Sequence, residues 1–190
     1  MEKIILFDFF GVISSEIAPF WFRRHFRDDE ADRIKMQIVT PADRGDITEA
    51  ELFENISAYL GVPKDTVRSE WLELVKIDRE LVEYIRELRK THRVYLLSNA
   101  IGSFISKILE ENSLYSLFDD MFISSDIHLI KPDEDYFRYC LEKIGAEPSD
   151  CIFTDDNIKN IEGARRVGIT GIHYKSFADY KARLTEILEG

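Results

Sequence analysis

Cysteine is almost absent from this chain. There are two, Cys140 and Cys151, and no C-x-x-C pair. A disulfide scaffold is excluded, and so is a zinc site built on paired thiolates. Both thiols fall among apolar residues and are expected to be buried and reduced. Long basic runs are missing too. Lys and Arg number 25 against 36 Asp and Glu, for a net charge of -11. A nucleic-acid binder needs a concentrated positive face, because phosphate contacts supply most of its affinity. The same lack argues against an anionic membrane surface, though not against a small phosphorylated metabolite, which needs only a local positive site. No apolar stretch approaches the ~20 residues of a membrane span. The opening MEKIILFDFF enters a strand directly and shows no leader pattern. The expected location is the cytoplasm. The four histidines, His25, His92, His128 and His173, fall in different elements, and none reads as a ligand or a base.

What is present is an ordinary globular composition. Of the 190 residues, 45% are hydrophobic, including thirteen Phe and two Trp, enough for a real core. Residues 4–8 form a short apolar run ending in Asp, the mark of a buried parallel strand. From about 16 to 89 no strand is convincing, and four or five helices are expected. Residues 17–26 are aromatic-rich. Thr48 and Glu51 make a capping-box signature. Gly61 stops that helix, Pro63 suits the first turn of the next, and Leu81, Ile85 and Leu88 share one helical face.

A strand–helix rhythm follows. Strands are expected at 94–98, 121–124, 151–154 and 170–173, and helices at 101–109, 135–144, 158–167 and 178–188. Such alternation implies an α/β fold with a doubly wound, Rossmann-like parallel sheet. The expected domains are a core of residues 1–14 and 91–190 and an inserted α-helical cap of residues 15–90. The expected assembly is a monomer or a homodimer.

In an open sheet of this kind ligands bind beyond the carboxyl ends of the strands. Asp8 ends the first strand, and Ser98-Asn99 the second. Lys131 sits in the turn after the third, and Asp155-Asp156 end the fourth. One rim therefore gathers three carboxylates, a hydroxyl and an ammonium. Asp8 could attack a phosphoryl group. Lys131 and Ser98 could stabilise the charge being transferred, with Asn99 beside them. Two unit charges 4 Å apart repel by roughly 4 kcal/mol at an effective dielectric of 20, so the carboxylates call for a cation, and Mg²⁺ suits them.

At these positions the sequence resembles the haloacid dehalogenase-like superfamily: FDFFGVI with Asp8 as nucleophile, LLSN with Ser98, Lys131 in IKPD, and IFTDDNIKNIEGA with Asp155 and Asp156. Each motif alone is weak, but four in order at strand ends are specific. The resemblance implies a phosphatase acting through an aspartyl-phosphate. It also implies Mg²⁺ held by Asp8, the carbonyl of Phe10 and Asp156, with Asp155 assisting. Phosphatases of this superfamily usually carry a second Asp two residues after the nucleophile, as general acid and base. Here that residue is Phe10. Either the leaving group is good, or another group such as Glu16 replaces the acid, or the protein is a poor catalyst. Two rivals follow. A 2-haloacid dehalogenase fits an aromatic at 10 and Ser98-Asn99, but not paired acids at 155 and 156. A Mg²⁺- and phosphate-binding module without turnover would not require a nucleophile. Asn160 could brace the metal loop, whereas Phe20, Trp21 and Phe22 read as cap core.

Overall fold

The computed structural model describes residues 3–190. Five parallel strands form one sheet: β1 (Ile4–Phe7), β2 (Arg93–Ser98), β3 (Asp120–Ile123), β4 (Cys151–Asp155) and β5 (Thr170–His173). Their spatial order is β3-β2-β1-β4-β5. The order reverses at β1, which pairs with both β2 and β4. A crevice opens at such a reversal, beyond the strand ends.

Alternation along β1 shows how the core is divided. Ile5 and Phe7 face one apolar cluster, together with Val94, Leu96, Ile152 and Ile172. Ile4 and Leu6 face the other, with Tyr95, Leu97 and Phe153. Successive strand residues point to opposite faces, and both faces are covered, so the strands read as continuous apolar runs. Helices α9 (Glu134–Ile144) and α10 (Ile158–Arg166) cover the second face. The first face is covered by α6 (Arg79–Leu88), α7 (Gly102–Glu111) and α11 (Phe177–Glu189).

Between β1 and β2 lie α1 (Ala18–His25), α2 (Asp28–Ile34), a π-helical turn (Lys35–Val39), α3 (Thr40–Arg44), α4 (Glu49–Leu60), α5 (Lys64–Glu73) and α6. The expected helical insertion is present and holds no named strand. The capping box forms as read: Thr48 accepts from the Glu51 amide, and Glu51 accepts from the Thr48 amide at 2.7 Å. The α2–π–α3 run across residues 28–44 is absent from the sequence reading. Asp and Arg crowd its start, and Pro41 looks like a breaker. Pro41 in fact occupies the first turn of α3, where its missing N–H costs little.

The aromatic reading is corrected in part. Trp21 and Phe22 are buried in the insertion, but Phe20 is exposed. The insertion and the sheet share one apolar cluster, and Trp71 of α5 meets Phe104 of α7 at 6.1 Å between ring centres. A short α8 (Ser124–Ile127) follows β3 directly. Both cysteines are free and buried. Burial pushes the two thiols up, so neither is a ready nucleophile. Among the described residues no helix is long and apolar enough to cross a membrane.

Candidate active site

Asp8 stands one residue beyond β1. Its amide donates to the Thr154 carbonyl at 2.9 Å, which extends the ladder with β4 and fixes where the side chain starts. Its Oδ1 accepts from the Phe9 amide at 2.7 Å and from Lys131 Nζ at 2.9 Å. The chain then turns sharply at Gly11, whose φ is +86°. A Cβ at Gly11 would press into the Asp156 carboxyl group, with Oδ1 2.7 Å away. Glycine is therefore required twice over: for the left-handed backbone and for the approach of the Asp156 loop.

Lys131 is fully enclosed. Its Nζ donates to Asp8, to Asp155 Oδ2 at 2.8 Å and to the Leu97 carbonyl at 2.8 Å. An ammonium has three protons, and all are used. Burial alone would pull this lysine down, but Asp155 and Asp8 outweigh it and hold it above the ordinary value. Asp155 is equally saturated. Beyond Lys131 it accepts from the Asn157 amide at 2.8 Å and from Asn160 Nδ2 at 3.0 and 3.1 Å. Asn160 is thus the brace that the sequence suggested. Asn99 lines the cavity, but its amide clasps the backbone of Lys131, donating to the carbonyl at 2.9 Å and accepting from the amide at 2.9 Å. Ser98 ends β2 fully buried, with no hydrogen-bond partner for its Oγ among the described residues. The next residue, Asn99, lines the cavity.

Carboxylate oxygens of Asp8, Asp155 and Asp156 all lie within 4.8 Å of one another. Burial first, and then Asp155, push Asp8 well above the usual carboxylate range, against the pull of Lys131. Burial, Glu16 and Asp155 push Asp156 up to about 7. Three carboxylates against one ammonium leave an excess of two negative charges. A divalent cation would offset it, and the oxygen donors suit a hard ion. The buried hydroxyl of Ser98 likewise lacks a partner such as an anion would supply.

The cavity over this rim measures about 580 Å³. Its floor is the strand-end set, including the half-buried Phe10. Its roof is one face of residues 28–44, where Asp32, Lys35, Met36, Val39, Thr40 and Asp43 recur at helical spacing. The π-turn lies within this face, a feature frequent at functional sites. Trp71 is the insertion aromatic that reaches the cavity; sequence reasoning missed it because its neighbours are polar. His173 is a second omission: its Nε2 donates to the Asp156 carbonyl at 2.8 Å. Both become visible only once β5 and α5 are in place.

A family model described as haloacid dehalogenase-like hydrolase matches residues 2–168. The chain belongs to this family. It is 25% identical to the D-ribitol-5-phosphate phosphatase of Bacteroides thetaiotaomicron over 99% of both chains. It is 28% identical to the drimenol cyclase of Aspergillus calidoustus over 76% of its own length, but spans only 29% of that protein. In fold it matches a HAD family enzyme of Bacteroides thetaiotaomicron solved in complex with magnesium and inorganic phosphate. The TM-score is 0.78 at 23% identity, with 93% of this chain and 96% of that one covered. Family and fold thus agree with the resemblance carried by the four motifs.

Proposed function

We propose that this chain is a Mg²⁺-dependent phosphatase of small phosphate esters, sugar phosphates or similar, acting through an aspartyl-phosphate on Asp8. The observation that carries the reading is the excess of two negative charges at Asp8, Asp155 and Asp156 around the saturated Lys131. The full-length likeness to a sugar-alcohol phosphatase supports it. So does the magnesium and phosphate held by a protein of the same fold.

In this reading Asp8, the carbonyl of Phe10 and Asp156 hold Mg²⁺. Asp155 assists from behind, by fixing Lys131. Magnesium, when bound, neutralises the excess charge and draws electron density from the phosphoryl oxygens. Lys131 pulls Asp8 toward its ionised form, against burial, and aims it. Ser98 offers its free hydroxyl to the phosphoryl group, and Asn99 keeps the Lys131 turn in place beside it. Asp8 attacks phosphorus, the ester oxygen departs, and water then cleaves the acyl phosphate. The insertion before Ile77 serves as the cap that excludes water and reads the organic part of the substrate. Helix α6 falls within the expected cap of residues 15–90, but it packs against β2, so in this reading it belongs with the core. A reducing compartment such as the cytoplasm suits the two buried free thiols.

Phosphate release is the test, from sugar 1-phosphates, sugar 6-phosphates, nucleotides and an aryl phosphate, with Mg²⁺ and with chelator. Release that needs both Mg²⁺ and Asp8, with Asp8→Asn lowering it by at least about 10³-fold, supports the reading. Silence across the panel sinks it. Halide release from 2-chloropropionate without metal would then point to a dehalogenase.

A further inference from the structure

Transfer from an alkyl ester to Asp8 leaves an alkoxide that needs a proton, and the Phe10 ring has none to give. The acids lining the cavity are Asp8, Glu16, Asp32, Asp43, Asp133 and Asp156. Asp8 and Asp156 belong to the proposed nucleophile and metal set. Asp32 and Asp133 are exposed to solvent, whereas Asp43 is partly buried. Glu16 acts electrostatically on Asp156, beside the proposed metal set. Asp43 remains.

We propose that Asp43, reaching the cavity from the roof helix, is the acid and base that stands in for the missing carboxyl at position 10. The inference rests on the phosphatase reading. Its first support is geometric. The end of α3 is docked onto α8, so Asp43 keeps its place relative to the sheet. The Ser124 hydroxyl donates to the Asp43 carbonyl. His128 Nδ1 lies 3.1 Å from the Arg44 carbonyl. Gly45, at φ +81°, lets the turn approach the Ser125 carbonyl so closely that a Cβ would collide with it. Those contacts use backbone atoms of the roof and leave the Asp43 carboxyl to the cavity.

The second support is electrostatic. Burial pushes the Asp43 carboxyl up to about 7, and Glu16 adds to this against the pull of Lys35 and Lys131. Arg44 and His128 also meet at this docking point, and Asp126 lies on the same α8. Near neutral pH the group both holds and releases a proton, as an acid–base catalyst must. In the first step an Asp8 oxygen bonds to phosphorus, the bond from phosphorus to the ester oxygen breaks, and that oxygen takes the Asp43 proton. In the second step a water oxygen bonds to phosphorus and its proton passes to the Asp43 carboxylate. The bond from phosphorus to Asp8 then breaks, and inorganic phosphate leaves with both side chains restored.

The experiment compares 4-nitrophenyl phosphate, whose leaving group needs no proton, with 2-phenylethyl phosphate, whose leaving group does. Asp43→Asn is expected to lower kcat/KM, which reads only the transfer to Asp8, by about 10²- to 10⁴-fold for the alkyl ester and by less than about 3-fold for the nitrophenyl ester, while kcat falls for both because the water step needs the same base. Equal loss of kcat/KM on both esters, or no loss on either, in a background where wild type is active overturns the assignment to Asp43 and leaves the phosphatase reading intact. The same selective loss in Glu16→Gln instead of Asp43→Asn also overturns it. No release by wild type from either ester removes the phosphatase reading and this inference with it. A second measurement needs no active variant. The carboxyl carbon of Asp43, followed by NMR in the Mg²⁺-loaded wild type, is expected to titrate near neutrality. A midpoint in the ordinary carboxylate range overturns the proposal.

Discussion

The floor and the roof of the cavity are built on opposite principles. On the floor three polar side chains are held by several bonds: Lys131 by three, Asp155 by four, and Asn99 by a reciprocal pair. The roof is pinned at one end, at Asp43 to Gly45, while Met36 at its middle is 72% exposed. A floor of this kind costs nothing to organise at the moment of reaction, because its dipoles and charges are already in position. A roof of this kind can admit different substrates without disturbing the floor. In the proposed reading this division leaves attack on phosphorus to the sheet and the fit of the substrate to the insertion.

The largest effect should come from breaking the floor at Gly11. Gly11→Ala adds a methyl where the Asp156 carboxyl lies, at a φ of +86°. Strain at such a position costs on the order of 1–3 kcal/mol, and displaced Asp156 should weaken Mg²⁺ binding by ~10²-fold. Calorimetric titration with Mg²⁺ checks this; undiminished affinity would mean that Asp156 does not hold the metal.

A second effect, in stability, sharpens the contrast in charge. Asp43 and Asp156 are raised from 3.8 to about 7 on folding. Between those values the folded chain keeps protons that the unfolded chain has released, so without metal its stability falls as pH rises through that window. In chelator the melting temperature should drop between pH 5 and pH 8 by roughly 3 °C or more, the equivalent of about 1 kcal/mol for a chain of this size. Mg²⁺ should restore most of the loss at pH 8 and little at pH 5. A melting temperature that climbs with pH in chelator would contradict the charge assignment.

The smallest effect belongs to the roof. Met36→Ala should shift the ratio of kcat/KM between a bulky and a compact ester by about five-fold, close to 1 kcal/mol of apolar contact. Mg²⁺ affinity should stay put. A parallel change in Mg²⁺ affinity would show that roof and floor are coupled after all.

The strand-end residues were legible because the sheet itself makes them so. An apolar run that ends in Asp must surface at the carboxyl edge, and four such runs place Asp8, Ser98, Lys131 and Asp155 along one rim without knowledge of any contact. The capping box at Thr48 and Glu51 was equally local. Residues 28–44 were obscure for the opposite reason. Their charges and Pro41 resemble a solvated turn, and only burial of Ala31, Ile34, Val39 and Ala42 against the rest of the insertion makes them a helix. Asp43 in TPADRG carries no local sign of chemistry.

By itself, then, the sequence determined the order of strands and helices, the family, and the acids and lysine that end up on one rim, since these follow from periodicity and from where each apolar run stops. Tertiary structure alone decided which partners those groups spend their hydrogen bonds on. It turned Asn99 into a clasp for Lys131, made Asn160 and His173 into supports for Asp155 and Asp156, and carried Asp43 into the cavity that Asp8 lines. Those outcomes depend on distances between residues tens of positions apart, and such distances are set by packing, which local sequence does not encode.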